Sequence, residues 1–318
     1  MPTKKHQLGV AFSGGGAKAA AHCGAIKALE EYGLRPDAIA GTSAGSLVAV
    51  LYASGYRPEQ MIDLFSGLKF FKDIVTPGMP KGGFFDSKPL VEYIRQHVPF
   101  QKLEDLPIPT FVVASDIEHG RTKVFTRGEL APRVVASCSI PVIFRPMAIS
   151  GTHYVDGGAF QNLPVPAIRQ KCEKVIALNL NLINEGEYKE NIVAVAYRSF
   201  SMMFMSNTIA DARSADLAIN LDTLGCTAFD MSKLEELFFR GYNSTVQALE
   251  ENGYTRQQEY KAVEFAPKKK SKKADKKTEP SMAEKLTKTV TQRIGNLRKN
   301  NKLLPQPKEN QPTTKKER

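Results

Sequence analysis

Two rhythms of apolar residues alternate along this chain. Short, mostly apolar runs recur at residues 8–12, 37–40, 110–114, 175–180 and 217–221. Runs of that length, with little polar alternation, fit strands buried on both faces. Between them lie stretches whose apolar residues recur three and four apart: 19–32 (closed by Gly33), 47–53, 58–68, 87–97, 132–137, 191–213 and 232–252. These spacings predict helices. Residues 121–125 read as a strand joined to 110–114 by the polar turn 116–120, and two further apolar runs follow at 139–144 and 154–158. Strand and helix alternate throughout, which predicts an α/β fold with a largely parallel sheet covered on both faces.

The chain has 318 residues, 42% of them apolar, enough for one large α/β domain or two small ones. No stretch approaches the 18 or so consecutive apolar residues of a membrane-spanning helix. The first residues lead into a strand-like run without a signal peptide's apolar segment, so a cytoplasmic location is expected. The four cysteines, Cys23, Cys138, Cys172 and Cys226, are scattered and read as buried thiols, not as disulfides or zinc ligands. Neither a metal nor a cofactor is expected.

Charge divides the chain. Of its 44 basic and 33 acidic residues, 17 and 5 lie in residues 266–318, leaving a near-neutral body at 1–265 and a strongly basic tail. Lysine-rich residues 268–277 are expected to be disordered. Residues 281–299 begin with a capping-box pattern, Ser281-x-x-Glu284, and carry Met282, Leu286, Val290, Ile294 and Leu297 on one helical face. This short basic amphipathic helix could lie on an anionic membrane surface, making the protein peripheral to it; a soluble tail, or one docked on the body, fits equally. Nucleic acid is a weaker partner, because no aromatics are interleaved with the lysines.

Three short motifs carry candidate chemistry. Gly41-Thr42-Ser43-Ala44-Gly45 lies between a strand-like run and a helix-like run, the layout of a nucleophile elbow. Ser43 sits at a helix N-terminus, where the dipole favours a developing alkoxide. Upstream, Ser13-Gly14-Gly15-Gly16-Ala17-Lys18 follows the first strand. As a dinucleotide loop it lacks an acid after the second strand; as a phosphate loop it lacks Ser or Thr after Lys18. An oxyanion hole formed by glycine N–H groups fits better beside a serine elbow. Asp156-Gly157-Gly158 ends a short strand and reads as a turn or as a catalytic acid.

Histidine is scarce where a triad needs it. None follows Asp156; His22 falls in the first helix, His97 at a helix end and His119 in a hairpin turn. His153 is the one histidine worth testing as a base. A Ser43–Asp156 dyad is more economical, provided that burial raises the acid's pKa or the oxyanion is strongly stabilised. Phe65, Phe70, Phe71, Phe84 and Phe85 crowd an irregular segment that reads as a packed loop or as an apolar lid. The methionine-rich 200–205 cluster reads as core, or as a wall for an acyl chain.

In order and spacing, the glycine loop, the serine elbow and the Asp-Gly-Gly turn resemble the patatin-like phospholipases of bacterial type, over roughly residues 7–225. The resemblance implies a three-layer α/β/α fold and cleavage of lipid acyl esters without an obligatory metal. It casts Ser43 as nucleophile and Asp156 as base, with Gly14, Gly15 and Gly16 as the oxyanion hole. Gly41, Gly45, Gly157 and Gly158 support them, and Lys18 matches the family's basic position, although a lysine there could simply be solvated. Ala19 departs from the family's frequent glycine. An acyltransferase or thioesterase would use the same dyad, and an idle lipid-binding protein would keep the fold.

Overall fold

The computed structural model describes residues 5–67, 82–180 and 192–257. The basic tail with its 281–299 segment, most of the proposed lid (68–81, with Phe70 and Phe71) and residues 181–191 lie outside these. In chain order, β1 (His6–Phe12) leads through one 3-10 turn (Gly16–Ala19) into α1 (Ala20–Glu31). Next come β2 (Ala38–Thr42), α2 (Ala44–Ala53), α3 (Pro58–Gly67), β3 (Gly83–Phe85) and α4 (Lys88–His97). The hairpin of β4 (Thr110–Asp116) and β5 (Arg121–Phe125) precedes α5 (Leu130–Ser137). Three short strands follow, β6 (Val142–Phe144), β7 (Met147–Ile149) and β8 (Thr152–Asp156). Then α6 (Val165–Arg169), β9 (Cys172–Asn179), α7 (Ile192–Ala212), β10 (Leu217–Asn220) and α8 (Leu234–Glu251) close the described body.

The strand order β10-β9-β1-β2-β4 is parallel throughout, as the apolar runs predicted. Beyond it the sheet turns antiparallel, with β5 and β8 both paired to β4 and β7 paired to β8. Strands β3, β6 and β7 and helix α6 were not separately read from the sequence. Each is three to five residues long, too short for a periodic signal, and among the described residues β3 pairs with β6 alone in a small second sheet.

Neighbouring strand residues point into different layers, as the pleat requires. Val10, Phe12, Ile39, Val112, Ile176 and Leu178 pack under α1–α5 and α8. Ala11, Ala38, Ala40, Phe111, Val175 and Ala177 pack against Val165 and Ile168 of α6 on the other side. The result is the expected three-layer arrangement, with large residues on one face of the sheet and mostly small ones on the other.

One detail of register governs the rest of the molecule. Val112 and Val113 pair with Gly41 and Thr42 of β2 and also with β5. Ala114 and Ser115 pair with Asp156 and Val155 of β8 and again with β5. Since β5 takes one edge of β4, β2 and β8 must share the other, end to end. They run toward each other, so the residue after Thr42 meets Asp156.

Candidate active site

Ser43 stands where β2 breaks into α2. Its backbone lies at φ 54°, ψ −131°, a region that non-glycine residues avoid at a cost of about 1–3 kcal/mol. The surroundings hold it there. The Ser43 carbonyl accepts the Ser46 N–H at 2.8 Å and the Ser46 hydroxyl at 2.7 Å. The Ser43 N–H donates to Ser137 Oγ at 2.8 Å, and that hydroxyl in turn donates to the Val113 carbonyl. The Ser43 hydroxyl makes no capping bond to α2, although the residue occupies the cap position. Both elbow glycines answer to close approach. A Cβ on Gly41 would sit 2.4 Å from the Gly45 carbonyl oxygen, and one on Gly45 would sit 2.5 Å from that of Phe12.

Asp156 is fully buried. Its N–H donates to the Ser139 carbonyl at 2.9 Å, and its own carbonyl accepts the Ser115 hydroxyl at 3.0 Å. Oδ1 accepts the Gly158 N–H at 2.8 Å, whereas Oδ2 is buried without a hydrogen-bond partner in bonding geometry. Burial pushes the carboxyl up to about 7, against the pull of the neighbouring Ser43 hydroxyl and the Gly158 N–H. A Cβ on Gly157 would lie 2.3 Å from the Val113 carbonyl oxygen, so the turn can press this close to β4 only with glycine there. Gly158 abuts the Phe204 ring in the same way.

The glycine loop lies against the elbow: a Cβ on Gly14 would be 2.9 Å from Ser43 Cβ. Its three amides are not equivalent, which corrects one expectation. The Gly14 N–H donates to the Asn162 carbonyl at 3.1 Å and is therefore committed to the scaffold. The Gly15 and Gly16 N–H groups donate to no acceptor among the described residues and border the same cavity as Ser43. Ala19, at φ −60°, ψ −15°, has ordinary helical backbone, so its methyl strains nothing. Lys18 is buried and not solvated: Nζ donates to the Leu180 carbonyl at 3.2 Å, and burial pulls its pKa down to about 8.

None of the histidines faces the serine as a base. His22 is buried with Nε2 bonded to the Ser13 carbonyl at 2.9 Å and its pKa pushed down to about 4 by burial, so it braces the glycine loop as a neutral ring. His97 bonds to the Tyr93 carbonyl and His119 to Asp116. His153 is half-exposed and bonds to Glu118 at 2.6 Å. It lies an odd number of residues from Asp156 along β8, so the pleat turns it to the other face.

Three positioning residues escaped the sequence reading. Ser137 holds the Ser43 N–H. Asn162 accepts from Gly14 through its carbonyl. Asn207 of α7 binds both the Gly158 carbonyl (2.8 Å) and the Asn162 N–H (3.0 Å) through its side chain. A polar pair, Asn207-Thr208, just after the apolar 202–205 run of the helix, was the available signal.

An apolar cavity opens from Ser43, walled by Leu47, Phe65, Ile94, Phe144 and Phe204. Phe65 is thus a core and wall residue of α3, not part of an irregular lid, and Phe85 stacks edge-on against Phe144. The 200–205 cluster divides: Phe204 is buried in the wall, but Met202 and Met203 are exposed and belong to no core. Among the described residues no cluster of His, Cys, Asp or Glu could hold a metal ion.

The largely parallel sheet makes this an α/β protein in which a strained serine and a buried acid meet at one strand junction. The family model for patatin-like phospholipases matches residues 10–168, half of the chain, and the chain belongs to that family. It is 31% identical over 187 residues to an uncharacterised NTE family protein of Mycobacterium tuberculosis (strain H37Rv), covering 58% of this chain and 52% of that one. It is 31% identical over 188 residues to the lysophospholipase NTE1 of Mycosarcoma maydis, covering 56% of this chain and 10% of that one. The chain therefore spans about half the length of the mycobacterial relative and a tenth of the fungal one. Among solved structures it is similar to VipD from Legionella pneumophila (TM-score 0.47, 16% identity, covering 78% of this chain and 67% of that one). It is also similar to ExoU of Pseudomonas aeruginosa in complex with SpcU (TM-score 0.43, 16% identity, 79% and 53%).

Proposed function

We propose that this protein is a lipid acyl hydrolase working through a Ser43–Asp156 dyad. The observation that carries this reading is Asp156 Oδ2, buried without a hydrogen-bond partner at the strand junction that brings the acid to Ser43. Ser43 Oγ attacks the ester carbonyl carbon while Oδ2 takes the hydroxyl proton; a carboxyl near 7 is a matched base at neutral pH. The oxygen anion of the tetrahedral intermediate meets the Gly15 and Gly16 N–H groups and the N-terminal end of α2. As the intermediate collapses, the ester C–O bond breaks, Asp156 returns the proton to the departing alcohol, and the acyl group stays on Ser43. Water then attacks that acyl ester, passing a proton to Asp156; the fatty acid leaves and the proton returns to Ser43 Oγ. An alcohol leaves more readily than an amine, which favours esters over amides for a base of this strength. The apolar walls of Leu47, Ile94, Phe144 and Phe204 suit a fatty acyl chain.

The lysophospholipase relatives support a phospholipid or lysophospholipid as the ester. The test is release of fatty acid from a phospholipid and a lysophospholipid by the full chain, with fluorophosphonate labelling followed in parallel. Labelling at Ser43 and loss of both signals in Ser43→Ala are the expected results. Labelling elsewhere, or fatty-acid release that survives Ser43→Ala, would overturn the assignment.

A further inference from the structure

The apolar cavity at Ser43 has a neighbour. A second, smaller cavity is bounded by Leu51 of α2, Leu64 of α3 and Tyr93, His97 and Val98 of α4 and its end. Leu47 and Ile94 line both cavities. On α2, Ser43 and Leu47 border the first cavity, and Leu47 and Leu51 the second. Residues four apart share a helix face and step about 6 Å along the axis. On α4, Leu90 and Ile94 border the first cavity, and Ile94 and Val98 the second, again four apart. Followed toward their C-termini, both helices therefore pass from the Ser43 cavity into the second one. Leu47 and Ile94, 4% and 1% exposed, stand between the two as a partition. The space behind them has room for little more than one water-sized group. Its α3–α4 side is tied by the Tyr93 hydroxyl, which donates to the Leu64 carbonyl at 2.7 Å, and by the stacked Tyr93 and His97 rings.

We infer that Leu47 and Ile94 set the length of acyl chain that the protein accepts, as the end wall at which the chain's terminal methyl stops. The inference rests on the acyl-hydrolase reading for its substrate, but the wall itself is testable by binding alone. Each methylene moved from water into an apolar cavity strengthens binding about fourfold. Preference should therefore climb with chain length until the chain reaches the partition. The next methylene must press Leu47 and Ile94 into close-packed surroundings, and the gain ends there. Phe144 and Phe204 border the first cavity and not the second, so trimming them opens no path onward. Ile94 also borders a surface hollow edged by Arg95, Lys102 and Glu129, a poorer place for methylenes than the apolar space beside Leu51 and Val98.

The test compares kcat/KM of the full chain for p-nitrophenyl esters from butyrate to palmitate. The wild type should peak at an intermediate length. Ile94→Ala cuts the partition back to Cβ and joins the two cavities. It should move the peak to longer esters and raise the ratio of long-ester to butyrate turnover about tenfold. Ile94→Val, a milder change to the same buried side chain, should move the ratio the same way by less. Adding Val98→Ile to Ile94→Ala refills the second cavity and should take the gain back. An equal loss at every length in both Ile94 variants would make Ile94 a packing residue and overturn the inference. So would a gain that Val98→Ile leaves intact, since the chain would then have entered the Arg95–Lys102–Glu129 hollow. Calorimetry of free fatty acids binding to the Ser43→Ala chain separates the wall from the chemistry. Affinity should level off with length in Ser43→Ala and go on rising once Ile94→Ala is added; no levelling off would also overturn the wall. That binding pattern in a protein whose Ser43-containing parent cleaves no ester would leave the wall standing and sink the hydrolase reading instead.

Discussion

The two halves of the proposed dyad are built by opposite means. On the Ser43 side the chain controls its own backbone: a residue at φ 54°, glycines two places either side, and a carbonyl gripped twice by Ser46. On the Asp156 side the backbone is ordinary and the environment does the work. Complete burial raises the pKa to about 7, against the pull of the Ser43 hydroxyl and the Gly158 N–H. The nucleophile depends on local geometry and the acid on what the rest of the fold packs around it. Change at the elbow should therefore appear first as lost stability, and change around the acid as altered pH dependence and rate.

The sharpest way to break this contrast is Asp156→Asn. It keeps the shape and removes the base, and ester turnover should fall roughly 10³–10⁴-fold, while His153→Ala leaves it unchanged. In the wild type, kcat/KM should rise with pH around a midpoint near 7, as Asp156 loses its proton, and any residual rate in Asp156→Asn should lose that step. The stability sign runs the other way. The folded pKa lies above the unfolded carboxylate value near 4, so the unfolded chain holds fewer protons in this range. Stability therefore falls as pH rises between about 4 and 7 and levels off above. A midpoint near 4 would mean that burial does not set the base.

Gly45→Ala tests the other half. Its methyl would meet the Phe12 and Ser13 carbonyls, and about 3 kcal/mol of stability should be lost, read as a lower urea midpoint. Stability within experimental error of the wild type would refute the backbone account of the elbow. A smaller effect is expected at Asn207, which reaches the acid turn and the Asn162 N–H from α7. Asn207→Ala should lower kcat about tenfold with KM little changed, because it loosens the position of Asp156 without touching the apolar walls. A change confined to KM would assign Asn207 to substrate binding instead.

Most of the parallel half of the sheet was legible in the chain, because a strand buried on both faces must be apolar at successive positions. On the antiparallel side the β4–β5 hairpin and the short strand ending at Asp156 were legible, but β7 and the pairing of β8 to β4 were not. Strands β7 and β8 are three and five residues long, and β8 finds its partner β4 about forty residues back along the chain. Ser43, Asp156 and the glycine loop were each marked by a local motif. The commitment of the Gly14 amide to Asn162, the burial of Lys18 and the outward turn of Met202 and Met203 had no local signature.

By itself, the order of residues determined the alternation of strand and helix, the elbow and its glycines, and the absence of a histidine after the acid. These are local matters of backbone sterics and spacing. Only the tertiary structure decided that β2 and β8 share one edge of β4 and converge on it, and that Asp156 is dry enough to hold a proton near neutrality. It also decided which glycine N–H groups stay open toward the cavity. Those outcomes depend on residues brought together across more than a hundred positions, where burial and hydrogen-bond competition, not local preference, set the result.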